Sequence, residues 1–171
     1  MLSAHTCSVY CDYINMMLLY RHIDYICEID MASIQNGLIT SLGLRTEALT
    51  NQSEYIRAVR EGISGDVVKR TVKAFDNREL IVRILGTTSS NLNRYYRRKK
   101  MSRGDSEEML DTIRLYDQAM HVFGDMGKTK EWIKTATPAL AGETPEALLD
   151  TFEGRKWVSQ VLRKIEYGEF V

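Results

Sequence analysis

Residues 132–171 read WIKTATPALAGETPEALLDTFEGRKWVSQVLRKIEYGEFV and hold both prolines of a 171-residue chain. Proline lacks an amide donor and fixes its own φ, so Pro138 and Pro145 limit where a helix can run and bracket the segment ALAGE. Thr144 has the chemistry of an N-cap, with Pro145 at the first helical position and Ala147, Leu148 and Leu149 behind it. Glu153-Gly154 reads as an interruption. Trp157, Val158, Val161, Leu162 and Ile165 then recur at helical spacing until Gly168, where a C-cap is expected, leaving Glu169, Phe170 and Val171 as a short tail. The stretch predicts short helices joined by tight turns.

Working outward, the composition agrees with an all-α chain. Apolar residues make up 44% and charged residues 27%, which is ordinary for a globular protein and speaks against disorder. Lys and Arg balance Asp and Glu at 23 each, so any affinity for nucleic acid or membrane must come from local charge placement. Cys7, Cys11, Cys27, His5 and His22 all precede Met31. Their spacing matches no compact zinc pattern, and an odd cysteine count without a paired framework points to reduced thiols in the cytoplasm. The uncharged run Tyr13–Tyr20 is far shorter than the roughly 20 residues of a membrane span, and no Lys or Arg precedes the apolar core as in a secretory signal. Met31-Ala-Ser reads as an alternative start, which makes residues 1–30 an extension or a loosely docked helix.

Residues 31–52 are rich in turn formers, and the expectation is a surface lead-in with at most one short helix or extended piece. Ser53 is expected to cap a helix to Arg60 that buries Tyr55, Ile56 and Val59, with Gly62–Gly65 breaking it. A second helix over 66–75 buries Val67, Val68, Val72 and Phe75. Asp76 or Asn77 then caps a third with Leu80, Ile81, Ile84 and Leu85 on one face, ended by Gly86. After the turn Thr87-Thr88-Ser89, a polar helix is expected from about Ser90 to Lys99. Leu92, Tyr95 and Tyr96 face inward in this reading, and Asn91, Asn93, Arg94, Arg97 and Arg98 face outward.

Short apolar helix, glycine turn and polar helix is the order of a helix-turn-helix unit, whose second helix enters the DNA major groove. Val82 stands where such units usually have a small residue. Six of the ten residues from Arg94 to Arg103 are Lys or Arg and none is acidic. The expected DNA contacts are Thr88, Ser89, Ser90, Asn91, Asn93, Arg94, Arg97, Arg98, Lys99 and Lys100, amides and Arg94 reaching base edges and the remaining cations meeting phosphates. A solvated helix end, its cations placed favourably at the C-terminal pole of the dipole, explains the same string. Beyond a hinge-like stretch at 102–106, Asp105 and Ser106 are expected to cap a long helix from about Glu107 to Phe123, in which His121 reads as a packed or dipole-facing imidazole. A loop at 124–127 leads to a short helix over 128–134 that delivers Trp132 and Ile133 to the C-terminal core.

The C-terminal string also carries a specific pattern: Trp132, Pro138, Leu140, Gly142, Pro145, Leu149, Thr151, Gly154, Arg163, Ile165, Gly168 and Phe170. On these residues it resembles the toxin-binding domain of the Xre/MbcA/ParS antitoxins, the partners of RES-domain toxins. It departs at Ala141, where many relatives carry a second glycine. The resemblance implies an all-α protein with an Xre-like helix-turn-helix domain (53–104), a connecting helix (105–125) and a small helical toxin-binding domain (126–171), after an N-terminal extension and lead-in (1–52).

The function implied is that of a type II antitoxin that neutralises a RES-domain, NAD-consuming toxin, autoregulates its operon by binding operator DNA, and acts as a homodimer within a larger complex. It needs no cofactor of its own and no membrane. Toxin binding is expected of Trp132, Leu140, Arg163, Glu166, Tyr167, Gly168, Glu169, Phe170 and Val171. Glu166, Glu169 and the Val171 carboxylate would mimic dinucleotide phosphates in a cationic pocket, with Tyr167 and Phe170 as apolar anchors. A helix-turn-helix regulator without a toxin partner is the alternative. An enzyme is not expected: no glycine-rich phosphate loop, nucleophile elbow or metal-spaced His/Glu helix is present, and the acidic residues alternate with bases on helix faces.

Overall fold

The computed structural model describes residues 37–168. The cysteines, His5, His22, Met31 and the tail residues Glu169, Phe170 and Val171 lie outside that range. Every regular element among the described residues is helical. The order is a helical segment 37–41 (α1), α2 Glu47–Thr50, α3 Gln52–Glu61, α4 Gly65–Phe75, α5 Arg78–Ile84, α6 Leu92–Tyr96, α7 Arg103–Phe123, α8 Met126–Lys134, a 3-10 turn Pro138–Leu140, α9 Pro145–Leu148 and α10 Phe152–Glu166.

The longest helix, α7, is the pillar of the fold. Met109, Leu110, Ile113, Leu115, Tyr116 and Ala119 are all buried on it, because α3, α8 and α10 cover different sides. Tyr116 stacks on Phe75 of α4 with ring centroids 3.6 Å apart and planes 8° from parallel, which fastens α4 to the pillar. Enclosure of Tyr116 holds its hydroxyl well above the ordinary phenol range. Each such side chain removed from water contributes about 1.5–3 kcal/mol before the cost of ordering it.

Several boundaries differ from the sequence expectation. The lead-in is not mere surface: Leu38, Ile39, Leu42 and Leu49 of α1, α2 and their connection join the core. Asn51 rather than Ser53 caps α3, its side-chain oxygen accepting from the Ser53 amide at 2.9 Å. Of the expected buried side of α3, Val59 is buried, Tyr55 is half-buried and Ile56 is 41% exposed, since one stripe of this helix is enough to meet α7. The polar helix α6 is shorter than expected, stopping at Tyr96. Beyond it the chain is drawn into backbone pairing with the α3–α4 loop, where the Gly65 amide donates to the Arg98 carbonyl at 2.8 Å and the Met101 amide to the Ile63 carbonyl at 2.8 Å.

Residues 102–106 are not a hinge. Ser102 caps α7 by accepting from the Asp105 amide at 3.1 Å, while Ser106 is fully buried and accepts the Ile63 amide at 3.2 Å. Asp125 caps α8 through the Lys128 amide at 2.9 Å, so that helix starts two residues earlier than expected. The expected break at Glu153-Gly154 is absent as well. Thr151 accepts from the Gly154 amide at 3.1 Å, and α10 runs on through the glycine. Gly154 is required for close approach: a Cβ there would collide with the Leu148 carbonyl oxygen.

Candidate functional site

The C-terminal part is assembled on α7 by a buried arginine that sequence reasoning did not single out. Arg155 of α10, 3% exposed, places Nε 2.8 Å from Asp111 Oδ2 and donates from Nη1 to the Leu149 carbonyl at 2.9 Å. The same Nη1 stands 2.6 Å from Glu108 Oε2, a charge contact without hydrogen-bond alignment. One guanidinium thus joins α7, α10 and the end of α9. Removing only one partner of so enclosed a set leaves an uncompensated charge, which costs several kcal/mol. The sole hint in the sequence is the Arg beside Gly154, inside a run otherwise read by its apolar residues. A second tie is reciprocal: Ser159 Oγ donates to Gln118 Oε1 at 2.7 Å, and Gln118 Nε2 to the Ser159 carbonyl at 3.3 Å.

Within this frame the expected toxin-binding residues separate by exposure. Leu140 is fully buried in the 3-10 turn and Trp132 is half-buried, its ring 5.2 Å from Phe123, so these two shape the core of the C-terminal part and Leu140 offers no surface. Arg163, Glu166, Tyr167 and Gly168 lie together at the exposed end of α10, with Tyr167 78% exposed and Gly168 at φ 70°. Glu166 Oε1 is 3.7 Å from His121 Nε2, which connects the root of the tail to α7. One turn before His121, the Asp117 carboxyl is pushed up to about 6, mainly by burial, with nearby His121 pulling it down.

Between α7 and α10 opens a groove of about 470 Å³ that includes Arg114, Gln118, Phe152, Lys156, Gln160 and Arg163 in its lining. A shallower one of about 380 Å³, lined by Leu148, Trp157 and Lys156 among others, lies on the other side of α10. Sequence reasoning missed Phe152, which stood next to the supposed break, and read Trp157 only as one of the apolar residues recurring at helical spacing; they are 64% and 40% exposed.

The second candidate surface is α5, its turn and α6. Asn77 caps α5 by accepting from the Leu80 amide at 3.0 Å, and Gly86 turns the chain at φ 54°. Arg78 then clamps the turn, donating to the Ser89 carbonyl at 2.6 Å, to Ser89 Oγ at 2.9 Å and to the Tyr96 hydroxyl at 3.3 Å. Thr88 supports the start of α6, its carbonyl accepting the Asn91 amide at 3.0 Å and its Oγ1 lying 3.0 Å from Ser90 Oγ. Gly65 lets α6 lie directly on α4, since a Cβ there would collide with the Tyr95 carbonyl.

Of the ten residues expected to face DNA, nine are exposed: Thr88, Ser89, Ser90, Asn91, Asn93, Arg94, Arg97, Lys99 and Lys100. Arg98 is the exception, half-buried, 4.1 Å above the Tyr95 ring and 3.2 Å from Asp105 Oδ2, so its charge is largely spent within the fold. Only Asn93 and Arg94 of the ten lie on α6 itself; Asn91 immediately precedes it. Among the described residues no His, Cys, Asp and Glu cluster is arranged to hold a metal, and no helix is long and apolar enough to cross a membrane.

Comparison with known proteins places these features in a group. Residues 118–168 match the model of the antitoxin Xre/MbcA/ParS C-terminal toxin-binding domain. A relative named Prs ADP-ribosylating antitoxin, from Sphingobium sp. (strain YBL2), is 25% identical over 158 residues, covering 82% of this chain and 99% of the relative. An antitoxin Xre from Yersinia enterocolitica is 30% identical over 120 residues, covering 67% of this chain and 80% of that protein. Another antitoxin Xre, from Photorhabdus laumondii, is 32% identical over 90 residues, covering 52% and 61%.

Proposed function

The chain belongs to the Xre/MbcA/ParS antitoxin family, and from that membership we propose that it neutralises a RES-domain, NAD-consuming toxin through its C-terminal part and represses its own operon through α5 and α6. The observation that carries the proposal is the toxin-binding-domain match over 118–168, the span in which Arg163, Glu166 and Tyr167 gather at the exposed end of α10. The relative named for ADP-ribosylation of Prs supports a toxin that uses NAD.

The mechanism is occlusion. Glu166 and Glu169 present carboxylates where a dinucleotide would place phosphates, and Tyr167 and Phe170 supply the apolar area that dominates interface energetics. Gly168, at a φ of 70°, follows the C-cap residue Tyr167 where α10 ends. Deleting Tyr167–Val171 is expected to abolish inhibition of NAD consumption while leaving the melting temperature close to that of the full chain. Full inhibition by the truncated protein would exclude the tail from the mechanism.

For DNA, the exposed amides Asn91 and Asn93 and the guanidinium of Arg94 supply base-edge chemistry, and Arg97, Lys99 and Lys100 supply phosphate contacts. A homodimer presenting two such units to paired half-sites completes the reading.

A further inference from the structure

Among the described residues four large apolar side chains are exposed, and three of them, Phe152, Trp157 and Tyr167, belong to α10 or its C-cap. They are interleaved with cations. Lys156, Arg163 and Lys164 are all exposed on the same helix, and Arg114 of α7 joins Lys156 and Arg163 in lining the larger groove. Carboxylates offset part of this charge: Glu153 lies 3.5 Å from Lys156, Asp111 lies 2.6 Å from Arg114, and Glu166 is exposed on α10 itself, 3.7 Å from His121. Lys156 and Gln160 line both grooves, so α10 stands as a ridge with a hollow on either side.

The tail cannot supply a stable interface by itself. Five residues, even fully extended, span about 17 Å, whereas a stable protein–protein contact engages roughly 20–30 residues and about 800 Å² on each side. Further surface must take part. Among the described residues, α10 carries exposed aromatic and cationic side chains along its length up to its C-cap Tyr167.

We infer that the outer face of α10 is the main docking ridge for the toxin, with Phe152 and Trp157 entering apolar pockets of the partner and Lys156 and Arg163 meeting a rim of carboxylates around them. The inference rests on the toxin-binding reading above and divides labour within it: the ridge holds the partner and the tail closes its active site. Exposed aromatics beside cations are the residue types in which interface energy concentrates. The cationic rim fixes orientation and accelerates encounter with an acidic surface.

The test uses the full chain and a catalytically inactive form of the RES-domain protein from the same operon, with affinity and association rate measured at two salt concentrations. Phe152→Ala and Trp157→Ala are each expected to weaken binding at least tenfold. The double reversal Lys156→Glu/Arg163→Glu is expected to slow association and flatten its salt dependence, and it keeps the test decisive should Trp157→Ala disturb packing. Ile56→Ala, which removes the fourth exposed apolar side chain, is expected to bind as the unaltered chain does. Unchanged binding in the α10 variants, with the unaltered chain forming the complex, overturns the ridge alone, as does an equal loss in Ile56→Ala. No complex with the unaltered chain overturns the toxin reading, and the ridge with it.

Discussion

Ala141 occupies the left-handed region at φ 57° and ψ 28°, closing the 3-10 turn before Gly142 at φ 80°. The sequence shows a departure at this position, where many relatives carry glycine, and the structure shows that the turn keeps its conformation with alanine in it. A Cβ in this region costs about 1–2 kcal/mol, and glycine gives part of that back through the freedom of the unfolded chain. Ala141→Gly is therefore expected to raise stability by about 0.5–1 kcal/mol, read from denaturant midpoints. A loss of stability would contradict the strain assigned to the turn.

Asp117 is a second residue-scale case. Its folded-state carboxyl is raised from 3.8 to about 6, chiefly by burial, so the folded chain binds a proton more readily than the unfolded one. The stability contributed by Asp117 is then fully present below about pH 4 and is lost as pH rises through about 6. Asp117→Asn is expected to gain about 1 kcal/mol at pH 7.5, a figure reduced for the group's partial exposure, and to flatten that slope. The slope persisting in the variant would assign the dependence to another group.

At the scale of elements, legibility followed the kind of interaction that sets each boundary. Local chemistry was readable: Pro145 and Thr144 define α9, Asn77 caps α5, and Gly86 ends the first helix of the unit. Boundaries set across space were not. Neither the shortening of α6 by backbone pairing of 98–101 with 63–65 nor the passage of α10 through Gly154 has a local signal, because both depend on a neighbouring carbonyl. The site divided the same way: exposed polar residues around α6 were identifiable from the charge run, whereas Phe152 and the enclosed Arg155 needed the packing. For the DNA element, Arg94→Ala is expected to weaken specific operator binding by about 1–3 kcal/mol, and Lys100→Ala to lower affinity for all sequences and reduce the salt slope by about one. Since Arg98 is already paired with Asp105, Arg98→Ala is expected to act more on stability than on the salt slope. Equal operator binding by the Arg94 and Lys100 variants and the unaltered chain would contradict the assignment of α6 as the reading helix.

Over the described residues as a whole, one core runs from α1 to α10 and connects the two proposed surfaces. Arg83 of α5 donates to the Glu146 carbonyl of α9 at 2.6 Å, Phe75 stacks on Tyr116, and Arg155 fixes α10 to the same pillar helix. The surface proposed for the toxin and the surface proposed for DNA are thus joined by shared contacts. The central claim is neutralisation, and it is tested most directly by titrating the purified full chain into the active RES-domain toxin from its operon while following NAD consumption. The account predicts that consumption falls to background at a fixed stoichiometric ratio; undiminished consumption in the presence of excess folded chain would contradict it.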